Sequence, residues 1–250
     1  MDAGLKGKVV LVTGGGRDVG RAISLAFARE GASVAVNYNS SAKEAEGVAR
    51  DVKAAGAEAR VYQSDVADYA SVQRMVGEVI RDFGRIDVLV NNAGYTKRQR
   101  FVDTTPEDWK RQVDVGLYGV IHTCHAVLPH MLKQNGGRIV NFTGDSARVG
   151  ENGLAVTAAS RGGVLALTKS LAREVGRANV TVNAISLGLI ETPHDAAWVD
   201  ENREKLVRLY PMRRLGKTDD VAPMVVFLGS ANASWVTGQI ISVNGGFSMS

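Results

Sequence analysis

Seven short β-branched runs alternate with longer segments of helical period along the whole chain, and this alternation most narrows the possible folds. The strand-like runs are KVVLVT (Lys8 to Thr13), SVAVN (Ser33 to Asn37), ARVYQ (Ala59 to Gln63), DVLVN (Asp87 to Asn91), RIVNFT (Arg138 to Thr143), VTVNAI (Val180 to Ile185) and QIISVN (Gln239 to Asn244). Between them lie amphipathic stretches such as GRAISLAFAREG and YASVQRMVGEVIRDFG. Gly31 and Gly84 stand where helix C-caps are expected, and Thr105-Pro106-Glu107-Asp108 carries a helix-start signature. Strand–helix alternation with short connections predicts right-handed βαβ units and a parallel sheet covered on both faces. No linker, composition shift or low-complexity tract interrupts the 250 residues, so one α/β domain spanning 1–250 is expected.

Charged residues make up 22% and hydrophobic residues 45%, with a net charge of +4. The basic residues interleave with acids, as in DENREKLVR, which describes solvated helix faces rather than a nucleic-acid stripe. The lone Cys124 cannot form an intrachain disulfide, and His122 and His125 lack the one-turn spacing of a metal pair. The opening MDAGLKGK has no apolar leader core, and no apolar run is long enough to span a bilayer. A cytoplasmic chain with neither a nucleic-acid nor a membrane partner is expected.

Directly after the first strand comes TGGGRDVG, Thr13 to Gly20, followed by a helix. Glycines at a strand-to-helix turn let the backbone approach a pyrophosphate, and the helix N-terminus presents free N–H groups to it. With this turn stand Asp65-Val66, NNAG (Asn91 to Gly94), the Trp109 helix leading into VDVGLYG, and GRIVNFT. LTKSLAREV, VTVNAISLGLIET, RRLGKTDDVA and VTGQIISVNGG complete the set. Together they make the chain resemble the short-chain dehydrogenase/reductases, especially their 3-oxoacyl-carrier-protein reductase-type members. The resemblance implies a Rossmann-type, doubly wound sheet of seven strands. It places cofactor positions at Thr13, Gly14, Arg17, Asp18, Val19, Gly20, Asn37, Asp65, Val66, Asn91, Ala93, Gly94, Leu187, Gly188 and Thr192.

Several of these positions depart from the family pattern. Asp18 replaces the second motif glycine and sets a carboxylate toward the phosphates, unless Arg17 pairs with it or it caps the following helix. The tip VNYNSS offers Asn37 and Asn39 in place of a ribose-binding acid or a phosphate-binding arginine. Leu187-Gly188 stands for the family's Pro-Gly. The resemblance further implies an Asn, Ser, Tyr and Lys set for proton relay. Those four positions hold Gly116, Gly144, Thr157 and Arg161. Threonine is too weak an acid to replace the phenol, and arginine does not give up its proton.

The expectation drawn from these losses is a catalytically inactive subunit that binds no cofactor well. It would support an active homologue carrying NAD(P) in a hetero-oligomer, through helices 106–134 and 157–175 and the C-terminal strand, with a substrate lid at about 190–215. The heteromeric dehydrogenase acting on a hydroxybenzylsuccinyl-CoA in anaerobic toluene breakdown is the family's example of such an arrangement, and it suggests a hydroxyacyl-CoA substrate. Two other readings stand beside this one. One is an enzyme with a site remodelled around Asp145, Ser146 and Arg161, either a reductase or a non-redox lyase or hydratase. Within it, Arg161 resembles the arginine of the halohydrin dehalogenases. The other is a ligand sensor without turnover.

Overall fold

In the computed structural model, which describes residues 2–193 and 196–249, each strand-like run forms a strand of one sheet. The strands are β1 (Val9–Thr13), β2 (Ser33–Tyr38), β3 (Ala59–Gln63), β4 (Val88–Asn91), β5 (Gly137–Gly144), β6 (Val180–Leu187) and β7 (Ile240–Val243). Their spatial order is β3-β2-β1-β4-β5-β6-β7, and every pair is parallel. The helices are α1 (Asp18–Arg29), α2 (Ala42–Ala54), α3 (Tyr69–Phe83), α4 (Pro106–Val113), α5 (Gly119–Gln134), α6 (Ser146–Val149), α7 (Ala155–Val175), α8 (Ala196–Arg208) and α9 (Thr218–Gly229).

The strands read as apolar runs because both faces are covered. In β1, Val10 and Val12 pack against Ile23 and Phe27 of α1 and Val225 and Leu228 of α9. Val9 and Leu11 point to the other face, into a second core with Val76 of α3, Val127 and Met131 of α5 and Val164 of α7. Phe27, Leu11, Ile23 and Met131 are fully buried, and each contributes about 1.5–3 kcal/mol by leaving water.

Chain order reverses between β1 and β4. Thr13 and Asn91 are register partners at the carboxyl ends of these strands, which is where an open α/β sheet forms its crevice. Behind the crevice runs a buried polar chain. Thr123 Oγ1 donates to Asn91 Oδ1 at 2.6 Å, Asn91 Nδ2 to Asn141 Oδ1 at 2.9 Å, and Asn141 Nδ2 to Thr168 Oγ1 at 2.9 Å. This satisfied network ties α5 and α7 to β4 and β5, and so fixes α7, the helix carrying Thr157 and Arg161, against the sheet.

Thr105 closes a complete capping box with Asp108, and Gly84 is a left-handed C-cap whose N–H reaches Ile80 O. Gly31 has φ +78° but lies one residue beyond the C-cap, Glu30. The helix expected over 106–134 is interrupted by one π turn at Asp114–Tyr118 with Gly116 at its centre. Such turns are frequent at functional sites. Among the described residues, no helix is long and apolar enough to cross a membrane, and no His/Cys/Asp/Glu group could hold a metal.

Candidate active site

The turn after β1 is braced from three sides. Asn37, buried at the end of β2, accepts from Gly14 N through Oδ1 at 3.2 Å, and its backbone carbonyl accepts from Gly15 N at 2.9 Å. Asn92 Nδ2 donates to the carbonyls of Thr13 and Gly14, and Thr13 Oγ1 accepts from the backbone N–H groups of Asn92 and Ala93. Gly20 is held so close to the turn that a Cβ there would stand 2.1 Å from Gly14 O. Asn37 is therefore a brace of the loop and faces away from any adenosine. Asp65 is likewise committed, through Ala67 N and a 3.0 Å ion pair with Arg111. Val66 is buried, and its carbonyl oxygen lies 2.9 Å from His122 Nδ1.

Asp18 adopts φ +49°, the left-handed conformation its glycine counterpart would take. It does not cap α1: the helix begins at Asp18 itself, Arg17 occupies the N-cap position, and no side chain caps the first turn. The first intrahelical bond runs from Arg21 N to Arg17 O, so the N–H groups of Asp18, Val19 and Gly20 carry the unspent donors of a helix N-terminus. The Asp18 carboxylate leans toward Arg17 Nε at 3.7 Å. Asp18 therefore does not cap the helix, and the backbone donors of the turn fit a dinucleotide pyrophosphate.

From this turn a cleft of about 120 Å³ opens between Val19, Asn92, Ala93 and Gly94 on one side and Thr157, Ser160 and Arg161 on the other, with Gly116, Thr143 and Leu187 also lining it. Three of the four altered relay positions, Gly116, Thr157 and Arg161, line this cleft, and two of the four, both glycines, lie against larger groups of α7. A Cβ on Gly144 would lie 2.5 Å from Arg161 Nη1, and a Cβ on Gly116 would lie 2.6 Å from Ser160 Oγ. The glycines thus make room for larger groups opposite, so the site is repacked rather than emptied. Thr157 is buried and donates to Gln112 Oε1. Thr143 lines the cleft and donates to Arg161 O at 3.4 Å.

Of the remodelled set, Ser146 and Arg161 meet, with Nη1 donating to Ser146 Oγ at 3.3 Å. Asp145 does not join them. It accepts from Ser186 Oγ at 2.7 Å and Asn244 Nδ2 at 2.6 Å, and so holds β6 and the end of β7 together. Gly188 packs against Tyr210, and Thr192 is half-buried.

Tyr95 was missed in the sequence. It follows NNAG directly, and it is the only tyrosine among the described residues lining the cleft. The irregular loop that carries it is tied down by Arg98 Nη1 to Asn152 O at 2.8 Å, Gln99 N to Gly153 O at 2.9 Å and Lys97 to Asp108 at 2.7 Å. The Arg98 guanidinium also stacks over the Trp198 ring at 5.0 Å, linking the loop to α8. Glu191 ties the chain before α8 to that helix through Arg203 at 2.5 Å, and Tyr210 accepts from Leu189 N at 2.8 Å. His194 and Asp195, in the segment expected to form a substrate lid, lie outside the described residues.

A family model described as enoyl-(acyl carrier protein) reductase matches residues 14–248. The chain is 41% identical over 242 residues to a 3-oxoacyl-(acyl-carrier-protein) reductase FabG of Staphylococcus aureus, covering 97% of this chain and 98% of that protein. It is 39% identical over 248 residues to the protein of that name from Thermotoga maritima, again covering 97% and 98%. A crystal structure of a short-chain type dehydrogenase/reductase from Mycobacterium marinum superposes with a TM-score of 0.94 at 28% identity, covering 100% of this chain and 98% of that one.

These findings overturn two expectations. The inactive subunit that leaves NAD(P) to a partner is not what the chain resembles, since it matches proteins named as reductases from end to end at about 40% identity. Nor does the phosphate turn support a chain unable to bind a cofactor, because the loop keeps its shape and its donors despite Asp18. The parallel sheet order, the donor-bearing turn at its switch point and the matches over nearly the whole length agree, and the chain belongs to the short-chain dehydrogenase/reductase family.

Proposed function

We propose that this chain is a carbonyl reductase that binds NADPH itself and acts on a 3-oxoacyl group through a remodelled proton-transfer set. The observation that carries this reading is the open cleft running from the uncapped start of α1 to Arg161, with Tyr95 on its wall. The N–H groups of Asp18, Val19 and Gly20 would hold the pyrophosphate. The tip of β2, Asn39-Ser40-Ser41, has no carboxylate to repel a 2′-phosphate, and the exposed Arg17 lies in the turn that Asn37 of β2 braces. When bound, NADPH supplies a hydride to the substrate carbon. Tyr95 delivers the proton to the substrate oxygen, since its phenol makes no hydrogen bond to the described residues and its loop is fixed by Asn92 and Ala93 on one side and by Lys97 and Arg98 on the other. Thr157 and Gln112, bonded to each other, hold the cleft wall. A cytoplasmic location goes with this reading. So does assembly of like chains through α5, α7 and the C-terminal strand, where Trp235 is fully exposed.

The test uses the purified chain alone with NADPH and a 3-oxoacyl substrate, following loss of reduced-nicotinamide absorbance. Turnover is expected, and Tyr95→Phe should lower it about a hundredfold with NADPH affinity unchanged. Turnover unaffected by Tyr95→Phe would remove the phenol from the mechanism, and absence of turnover by the wild-type chain would remove the reading itself.

A further inference from the structure

Arg161 brings a fixed positive charge into the cleft with no counter-ion among the described residues. Among the described residues it makes no ion pair, and its one side-chain hydrogen bond goes to the neutral Ser146 hydroxyl. The nearby charged groups cancel each other: Glu151 is held by Arg98 at 2.5 Å. Asp145, adjacent in sequence to Ser146, is held by Ser186 and Asn244 and makes no ion pair with Arg161. Burial lowers the proton affinity of Arg161, which marks a desolvated cation, yet a guanidinium at this site remains charged. Its Nε and Nη2 have no acceptor among the described residues and are not sealed from solvent. Gly144 supplies the space for this pose, since any larger residue there would meet Nη1. Removing a cation from water costs several kcal/mol unless an anion meets it, and a planar fork of free donors suits a carboxylate.

We infer that Arg161, backed by Ser146, is the receptor for a free carboxylate on the substrate, so the substrate class is short 3-oxo acids rather than their thioesters or amides. The turnover arm of this inference rests on the reductase reading; the binding arm does not. Beside the guanidinium the cleft, about 120 Å³, is lined by Thr143, Thr157 and Ser160, so the acid would meet hydroxyl groups next to the charge.

Calorimetric titration of the full-length chain, with and without NADPH, compares acetoacetate with acetoacetamide, its neutral counterpart, and with chloride. Acetoacetate should bind at least about tenfold tighter than the amide, and Arg161→Gln should abolish that preference. Arg161→Lys should keep part of it, and Ser146→Ala should weaken it. The amide comparison uses the wild-type chain, so it decides the matter even if Arg161→Gln fails to fold. Equal binding of acid and amide would overturn the inference. So would chloride competing as well as the acid, which would mark a general anion hole. Arg161-dependent binding of acetoacetate without turnover would sustain the receptor and defeat the reductase reading. Turnover of acid and amide alike would do the reverse.

Discussion

Asp18 is the residue whose replacement tests the phosphate turn most sharply. Its carboxylate sits at the N-terminus of α1, about a quarter exposed, with Arg17 3.7 Å away. At roughly 6 Å from a phosphate and an effective dielectric of about 40, one like-charge contact costs about 1.4 kcal/mol. Arg17 offsets part of this, leaving about 1 kcal/mol, or about fivefold in Kd. Asp18→Asn removes the charge and keeps a side chain that tolerates φ +49°, so NADPH should bind about fivefold tighter at low salt. The gain should shrink as salt rises, because the site is near the surface. Asp18→Gly should give a similar affinity gain with little change in Tm, since relief of left-handed strain and the added freedom of the unfolded chain oppose each other. Calorimetry at two ionic strengths reads all of this. Unchanged or weaker binding by Asp18→Asn at low salt would refute the reasoning, because the carboxylate would then not act on the pyrophosphate.

Three further outcomes follow from the packing and the charges. Gly144→Ala should cost about 1–2 kcal/mol in urea midpoints, because its Cβ would meet Arg161 Nη1, and the cost should fall sharply in an Arg161→Ala background; equal costs in both would contradict the pairing. The Cys124 thiol is buried against Asn91, and burial pushes its pKa up to about 12, so thiol reagents should label it only after denaturation. Asp220 is held down to about 2 by hydrogen bonds from Arg214 at 2.6 and 2.7 Å and from Lys217 N. Its folded pKa lies below the ordinary value, so its stabilising effect is full above pH 3.8 and is lost as pH falls toward about 2. Asp220→Asn should flatten the stability profile in that window, and an unchanged acid limb would contradict the assignment.

The sheet was legible because its strands are buried on both faces, and apolar runs bounded by turn residues signal that directly. Local chemistry also showed where it acts alone, as at the Thr105 box and the Gly84 cap. The π turn at Asp114–Tyr118 was hidden because one extra residue leaves helical periodicity nearly unchanged. The cap weighed as one alternative for Asp18 fails because the helix begins at Asp18 itself with Arg17 at the N-cap, which only the backbone shows. The site proved hardest to read. Each relay position taken singly looks like a loss, yet Gly144 with Arg161 and Gly116 with Ser160 are matched across elements distant in sequence. Tyr95 stayed unseen because a loop residue's aim is set by the ties of its flanks to Asn152, Gly153 and Asp108 rather than by any period.

Titration of the purified wild-type chain with NADPH, followed by addition of acetoacetate, tests the central claim most directly. The account predicts dinucleotide binding in the range of about 1 μM to 1 mM, followed by oxidation of the bound nicotinamide without any second protein. No binding by the chain alone, with or without substrate, would contradict it.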